Sequence, residues 1–180
     1  MLVSGGVLAL AVALLVLVRP ANLGLAGEAS APRTSRSAEG EAPGLPRTVG
    51  TAEAEALRLL RSWDRERSVA YATGSASRLR ALYVPGAAVG AADLRVLHGW
   101  THRGLRVSGM RTQLLALSVL DASPGLMRLR LTDRLTGAVA RGSGGPVLLP
   151  RDRASTRELT LVRGGRRWRV SAVRDAPGTG

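Results

Sequence analysis

Residues 156–173 read TRELTLVRGGRRWRVSAV, in which two strand-like segments flank the pair Gly164-Gly165. A glycine pair between two such segments is a strong signal for a β-hairpin with a two-residue turn. In the register that this turn implies, Leu161 lies opposite Trp168, so one face of the hairpin is apolar. The pattern therefore predicts an antiparallel hairpin, buried on one side, near the end of the chain.

The segments before this hairpin are also strand-like. Residues 127–132 (MRLRLT) alternate apolar and polar side chains, and residues 105–120 are rich in Val, Leu and Thr, with a bend expected at Gly109. Residues 123–125 (SPG) predict a turn, and residues 135–140 either continue the second strand or begin another. We expect about four antiparallel strands in all.

Three helices are predicted before the strands. Residues 51–72 place apolar side chains close to one face, with acidic residues in the first turn, and Gly74 ends this helix. Ser75 caps a short second helix, and residues 91–103 form a third that ends before Gly104. Because helices and strands are segregated along the chain, the fold class is α+β.

The run from Met1 to Val18 is apolar and uncharged, and Arg19-Pro20 ends it. As a helix it is about 27 Å long, close to the roughly 30 Å of a hydrocarbon core. We expect residues 1–19 to form a single transmembrane anchor, with a cleaved export signal as the alternative. A strict count of flanking positive charge favours the cytoplasm for the domain. An anchor followed by a tether is typical of an exported domain, and we predict an extracytoplasmic position.

Residues 20–50 are rich in Pro, Gly and Ser and show neither a helical nor a strand period. They are therefore predicted to form a disordered tether. The folded domain is expected at residues 51–174, followed by a flexible tail at residues 175–180. A domain of this length is large enough to bury a core of its own.

Composition limits the function classes. The chain has 26 basic residues, all of them arginine, against 13 acidic residues, which gives a formal net charge of +13. This charge favours anionic partners, but the arginines are scattered, which is typical of a solvated surface, and we expect no nucleic-acid partner. Cysteine is absent, which excludes a disulfide framework and a thiolate metal site. No cofactor is expected.

Three features carry a resemblance to a known family: the long first helix with Trp63-Asp64 and Tyr71, the segment LRALY at residues 79–83, and the closing strand RWRV at residues 167–170. Over residues 52–173 the chain resembles the NTF2-like superfamily, or cystatin-like cone. More narrowly, it resembles the membrane-anchored NTF2-like proteins of actinobacteria. The resemblance implies three helices on a curved antiparallel sheet. It covers isomerases, dehydratases, transport adaptors and anchored domains without known chemistry, so it implies no single function.

Catalytic members of the superfamily that the chain resembles use a carboxylate, or a His–Asp pair, inside the cone. Asp64 and Asp133 are the weak candidates for that role here, with Tyr71 and Tyr83 as hydrogen-bond donors. Both carboxylates have arginines as neighbours in the sequence, and an ion pair with arginine lowers a carboxylate pKa. The sequence therefore favours structural ion pairs over a catalytic base.

The histidines, the glycine-rich segment and the tryptophans are predicted to have structural rather than functional roles. His98 and His102 lie four residues apart on the third predicted helix, but no third ligand is identified, so surface positions are favoured and no metal site is predicted. Residues 141–146 (RGSGGP) resemble a phosphate loop but lack its lysine and a following helix, which favours a hairpin connection. The tryptophans are predicted to be large core side chains rather than a ligand cage: Trp63, Trp100 and Trp168.

Four arginines are predicted to share one face of the sheet: Arg128, Arg130, Arg167 and Arg169. Such a face either binds an anionic polymer or lipid headgroups, or is a solvated outer surface, which we favour. In both cases, repulsion between like charges opposes pairing of two sheets, so a monomer is expected.

The sequence thus favours a non-enzymatic, single-pass envelope protein, held in the membrane by Met1 to Val18, whose domain is an accessory or interaction module for an envelope protein or anionic polymer. One alternative is an isomerase-like or dehydratase-like enzyme of small molecules that uses Asp64 or Asp133. The other is a module that binds anionic polymers or lipid headgroups.

Overall fold

The computed structural model describes residues 47–176, which form three helices followed by five strands. The α+β class is confirmed, with five strands rather than about four. The elements are α1 Arg47–Thr73, α2 Ala76–Arg80, α3 Ala88–His102, β1 Arg106–Ser123, β2 Leu126–Gly142, β3 Gly145–Leu148, β4 Ser155–Gly164 and β5 Arg167–Asp175.

The predicted anchor at residues 1–19, the tether up to residue 46 and the tail from residue 177 lie outside the described residues. α1 begins at Arg47, four residues before the predicted start at Thr51, so the end of the proposed tether is helical. Within residues 47–176, no helix is both long enough and apolar enough to cross a membrane.

The ends of α1 and α3 and the start of α2 follow the predicted signals, whereas the first turn of α1 has no acidic residue and α3 begins at Ala88 rather than at residue 91. Gly74 ends α1 with a φ of +67°, a left-handed conformation that glycine adopts without steric cost. The Ser75 side chain then accepts a hydrogen bond from the Arg78 backbone N–H at 3.3 Å and caps α2. Gly104, with a φ of +71°, follows α3 in the same role.

The sheet is antiparallel and has the order β1-β2-β4-β5. β2 is the central strand of this sheet. β1 pairs along one side of it. On the other side, β4 pairs with the first part of β2 and β3 pairs with its last part. Residues 135–140 therefore continue β2 rather than beginning a new strand. The additional strand is β3, which follows a tight turn within residues 141–146, so this segment is the predicted hairpin connection.

Irregular pairing bends the long strand β1. The register between β1 and β2 shifts between Ser108 and Arg111, and Gly109 lies there with a φ of +65°, which confirms the predicted bend. Further shifts occur between Leu114 and Ala116 and farther along the strand. An extra residue in one strand increases local twist and bends the sheet, so these irregularities curl the sheet around α1.

The final hairpin forms as predicted, but its register differs from the prediction. Gly164 pairs with Arg167, and Leu161 lies opposite Val170 rather than Trp168. The turn therefore uses Gly165, with a φ of +62°, and the arginine after it, instead of the two glycines. Next to the turn the pairing has moved by two residues, so the apolar and polar faces are kept there. A register shift between Thr160 and Leu161 adds one more residue, and Leu159 lies opposite Val173.

The apolar faces of the helices and the concave face of the sheet meet in one core. The alternating leucines of β2 and β4 are buried. In the segment after α2, the Val84 N–H donates to the Val170 carbonyl of β5, and the Val170 N–H donates to the Leu82 carbonyl, both at 2.9 Å. This pairing attaches the helical layer to the last strand. The core is not filled throughout, because a cavity remains between α1 and the sheet.

Candidate functional site

The cavity has a volume of about 410 Å³ and lies between α1 and the concave face of the curved sheet. Most of its wall is apolar: Leu57, Leu60, Leu114, Leu131, Leu159 and Val173. Ligand pockets of proteins are commonly about 300–1,000 Å³ and have apolar walls with a few placed polar groups. The cone is therefore hollow and large enough to hold a small molecule.

Asp64 of α1 is one of the polar groups in this cavity. Its Oδ1 accepts a hydrogen bond from the Thr112 hydroxyl at 2.9 Å. Burial raises the pKa of the Asp64 carboxyl and the nearby Asp133 carboxylate adds to the rise, while the Thr112 hydrogen bond and the charge of Arg67 oppose it without cancelling it.

The prediction that Asp64 forms an ion pair with a neighbouring arginine is wrong. Of the ion pairs within residues 47–176, none includes Asp64. Arg65 is exposed, as expected of a side chain about 100° farther around a helix. Arg67 lies one turn from Asp64, but its guanidinium binds Asp93 instead.

Asp133 lies in the same cavity and does form an ion pair, although not with its sequence neighbour Arg134. Arg157 Nη2 donates a hydrogen bond to Asp133 Oδ1 from the adjacent strand β4, and the two residues are only 8% and 7% exposed. Arg134 alternates to the outer face, where its Nε donates to Gln113 at 2.9 Å. The structural ion pair predicted for Asp133 therefore exists, with a different partner.

Behind one wall of the cavity lies a buried hydrogen-bonded group that joins α1 to α3; we call it the Asp93 cluster. Arg67 Nε and Nη2 donate to the two Asp93 oxygens at 2.8 and 2.6 Å. The hydroxyls of Tyr71 and Tyr83 each donate to the same carboxylate at 2.6 Å. The Tyr83 ring meets Trp63 edge to face, with ring centroids 6.2 Å apart, so the cluster positions this wall.

Charge balance keeps the Asp93 cluster ionised. Burial disfavours the charged form of Asp93, but the charge of Arg67 and the hydrogen bonds from Arg67, Tyr71 and Tyr83 outweigh burial and hold the pKa of Asp93 below the usual range. Burial likewise disfavours the charged form of Arg67, but the Asp93 carboxylate stabilises that form and holds the pKa of Arg67 above its ordinary value. Burial raises the pKa of both tyrosines, so they stay protonated as donors.

The sequence analysis identified Tyr71 and Tyr83 as donors but missed Asp93, their acceptor. A signal for it exists in the sequence: Asp93 lies four residues after Val89 and four before Leu97, both of them buried, and so falls on the apolar face of α3. A carboxylate at such a position needs buried donors. Nothing in the sequence indicates which donors these are.

The other candidate residues fall as follows. His98 and His102 are exposed near the end of α3, as predicted, and no set of three or more side chains suited to a metal ion occurs in the described part of the chain. The tryptophans occupy three different environments and form no cage. Trp100 is buried in the core, Trp63 lines the cavity and Trp168 is half-buried on β5.

The four arginines of the predicted basic face lie on the outer face of the sheet: Arg128, Arg130, Arg167 and Arg169. Glu158 partly neutralises this face, because it pairs with Arg130 at 2.7 Å and with Arg128 at 3.6 Å. The hydrogen bond from Arg130 holds the pKa of Glu158 below its usual range. Glu158 of β4 thus contacts the two arginines of β2, and anion binding stays a prediction.

Comparisons with known proteins identify similar folds only. No protein-family model and no curated protein matches the chain. Among solved structures, the intermembrane-space region of the chloroplast protein ARC6 is 16% identical, covers 74% of this chain and 100% of its own, and has a TM-score of 0.47. An uncharacterised protein with a cystatin-like fold from Caulobacter vibrioides is 14% identical, covers 66% of this chain and 87% of its own, and has a TM-score of 0.41.

A third structure, an NTF2-like protein with a cystatin-like fold from Novosphingobium aromaticivorans, is 19% identical, covers 72% of this chain and 89% of its own, and has a TM-score of 0.39. The neighbours thus include cystatin-like and NTF2-like proteins. The architecture given above rests on the strand order and helix packing of this chain itself. The membrane-anchored actinobacterial type stays a prediction, and no function is drawn from these similarities.

Proposed function

We propose that the domain binds a small, mainly apolar molecule in its cavity and that Asp64 exchanges a proton with it, in a reaction of the isomerase or dehydratase type. The observation that supports this proposal is the environment of Asp64. Its carboxylate lies on the wall of a 410 Å³ apolar cavity, accepts a hydrogen bond from Thr112, has no ion-pair partner within residues 47–176, and has a raised pKa. A general base works best when its pKa approaches the working pH, and partial burial without a cationic partner raises it.

The geometry favours Asp64 over Asp133 as the proton-transferring group. The Asp133 carboxylate is already engaged by the Arg157 guanidinium, so it is less free to contact a bound molecule. Among the described residues, the Asp64 carboxylate is engaged through Oδ1, by the Thr112 hydroxyl, which orients it. The apolar side chains of the wall lower the local polarity around a bound molecule, which strengthens its electrostatic interactions with the carboxylate.

The accessory role without chemistry, which the sequence favours, stays the competing proposal. It predicts a filled interior or an occluded carboxylate, and the hollow cone counts against it. The extracytoplasmic position and the membrane anchor at Met1 to Val18 are compatible with either role, and they rest on sequence alone. Protease treatment of intact cells tests that position independently of the cavity.

A generic proton-abstraction probe tests the function without knowledge of the substrate. Nitrobenzisoxazole is an uncharged bicyclic molecule whose ring opens to a coloured phenolate when a base removes its C–H proton. We expect the full chain to accelerate ring opening, with a rate that rises with pH through the pKa of Asp64. Asp64→Asn should reduce the acceleration at least about tenfold, since positioned bases contribute about 100-fold or more.

The control variant is Asp121→Asn, which removes an exposed carboxylate on β1 outside the cavity. It should retain the rate of the wild-type protein. If Asp64→Asn and Asp121→Asn open the ring as fast as each other, Asp64 is not a base and the accessory role is favoured.

A further inference from the structure

Five charged side chains line the cavity: Arg61, Asp64, Arg67, Asp133 and Arg157. Two of the arginines are neutralised by carboxylates, Arg67 by Asp93 and Arg157 by Asp133. The other two charged side chains have no ion-pair partner within residues 47–176, and both belong to α1. Of these two, only Arg61 is a cation, so it is the positive charge on the cavity wall that is available to a ligand.

Exposure falls in steps along the face of α1 that lines the cavity. Arg61 is exposed, Asp64 is half-buried and Arg67 is only 3% exposed. These residues follow one another at intervals of three, so each step is close to one helical turn, roughly 4.5 Å along the axis. The cavity therefore opens to solvent at the Arg61 end, which we call the mouth, and ends against the Asp93 cluster.

A cation at the mouth of an apolar cavity favours a ligand with an apolar body and one anionic end. The planar guanidinium of arginine binds a carboxylate through two parallel hydrogen bonds. A single arginine balances one negative charge, which a carboxylate carries, whereas a phosphate carries nearly two at neutral pH. Asp64 and Asp133 repel an anion from the interior, so the carboxylate stays at the mouth and the apolar body enters.

We infer that the ligand is an apolar carboxylic acid in its ionised form, whose carboxylate binds Arg61 at the mouth while its apolar body lies in the cavity beside Asp64. In this orientation, the part of the ligand that faces Asp64 lies about one helical turn inside the mouth. Arg61 thus orients the ligand on which Asp64 acts. This inference rests on the proposed binding of a small molecule in the cavity, and it specifies the class and the orientation of that molecule.

Three naphthalene derivatives of similar shape test the inference: naphthoate, naphthamide and naphthamidine. Their substituents are planar and carry one negative charge, no charge and one positive charge, in that order. Each probe is titrated calorimetrically into the full chain in micelles of an uncharged detergent, and a titration into empty micelles corrects for partitioning. Naphthoate should bind about 3–10-fold more tightly than naphthamide, a modest gain because Arg61 is exposed to solvent. Naphthamidine should bind most weakly of the three.

Two further probes separate the roles of the apolar body and of the charge. Acetate carries the carboxylate without an apolar body and should bind at least about tenfold more weakly than naphthoate, because it buries little apolar surface. Acetate that binds as tightly as naphthoate would indicate a surface anion site and would overturn the inference. Naphthyl phosphate should bind more weakly than naphthoate, because Arg61 balances only one of its charges.

Variants of Arg61 locate the carboxylate. Arg61→Gln should lower the affinity for naphthoate about 3–10-fold and leave the affinity for naphthamide within about twofold. Arg61→Glu should reverse the order of naphthoate and naphthamidine. The matched control is Arg65→Gln, which removes the same charge from an exposed position on α1 that does not line the cavity, and it should keep the wild-type order. Substitutions at exposed helix positions such as these change stability little, so the variants should fold.

The possible failures can be separated. If naphthoate binds no more tightly than naphthamide, or if Arg61→Gln leaves the naphthoate affinity unchanged, the inference about ligand class is overturned while binding in the cavity stands. Tighter binding of naphthamidine or naphthyl phosphate than of naphthoate also overturns it, as does an equal loss of naphthoate affinity in Arg65→Gln. If no probe binds, both this inference and the proposed binding function are overturned. If naphthoate binding depends on Arg61 but Asp64→Asn still accelerates ring opening as fast as the wild type, only the acid–base role fails.

Discussion

Replacement of Asp93 by asparagine removes the single negative charge of the Asp93 cluster while keeping the size of the side chain. The carboxylate accepts two hydrogen bonds from Arg67 and one each from Tyr71 and Tyr83, at 2.6–2.8 Å. Asparagine has one acceptor oxygen in place of two, and its amide N–H groups would face the remaining donors. At least one donor then loses its partner, and the Arg67 charge, 3% exposed, loses its counter-ion.

Removal of one partner of a buried ion pair costs about 3–5 kcal/mol. For a domain of this size, each kcal/mol of stability corresponds to roughly 3–5 °C in melting temperature, so Asp93→Asn should melt about 10–20 °C below the wild type. Tyr83→Phe removes one hydrogen bond to the same carboxylate and should cost less, about 1.5–3 kcal/mol. Asp121→Asn, on the exposed side of β1, should change stability by no more than about 0.5 kcal/mol.

The loss should also depend on pH in a defined direction. The pKa of Asp93 is depressed in the folded state, so its stabilising contribution is present above the unfolded value of about 3.9 and is lost as the pH falls through the folded value. The difference between wild type and Asp93→Asn should therefore be full at neutral pH and should shrink on strong acidification.

Thermal and urea denaturation followed by circular dichroism measure these differences. The hydrogen bonds share one acceptor, so Tyr83→Phe should cost at least about 0.5 kcal/mol less in the Asp93→Asn background than in the wild type. If Asp93→Asn melts within about 2 °C of Asp121→Asn at neutral pH, the two variants differ in stability by less than about one kcal/mol. The Asp93 cluster would then not stabilise the fold.

Three further predictions concern the site, the helices and the outer face. Asp64→Asn should raise the melting temperature at neutral pH and give no such gain below about pH 4. A raised pKa makes the ionised Asp64 destabilising as the pH rises from the unfolded value to the folded one. A gain in melting temperature of equal size at both pH values, or no gain at either, would contradict this. Gly90→Ala should cost about 1–3 kcal/mol of stability, because the added Cβ would lie 2.7 Å from the Tyr83 Cβ and Cγ. Gly99→Ala on the same helix meets no atom within 4 Å and should stabilise by up to about 1 kcal/mol. If urea unfolding gives the two variants changes in unfolding free energy of the same sign, the described packing of α3 is refuted. The full chain should bind polyglutamate at low salt, as measured by fluorescence, and binding should weaken at moderate salt. Binding should also weaken in a variant in which the four arginines of the outer face are changed to glutamine: Arg128, Arg130, Arg167 and Arg169. Unchanged binding in that variant would count against an anion-binding outer face.

Local pattern predicted most of the elements of this chain. The alternation of residues 127–132 gave β2 with the correct buried face, and Gly74, Ser75 and Gly104 gave the helix ends. These signals work because side-chain period and backbone conformation are set within a few residues. The hairpin register was two residues off, because the turn can use Gly165 with either of its neighbours, and the choice depends on packing along the whole of β4 and β5.

The partners of charged residues were predicted least well. Neighbours in sequence suggested an arginine for Asp64 and Arg134 for Asp133, whereas Arg67 binds Asp93 and Arg157 binds Asp133. Adjacent residues on a strand point to opposite faces, so an arginine beside an aspartate in sequence is often on the wrong side of the sheet. Residues 26 positions apart, as in the pair Arg67–Asp93, meet only when two helices pack.

The sequence by itself determined the α+β class, the order of the helices and strands and the apolar faces that pack together, because each of these depends on the short-range period of the chain. Only the tertiary structure decided that the cone is hollow and that Asp64 faces the hollow without an ion pair to an arginine within residues 47–176. Whether an interior is filled depends on how far a curved sheet stands from the helix that it surrounds. That distance is set by irregularities in strand pairing and by the summed volume of side chains from several elements, which no local pattern encodes.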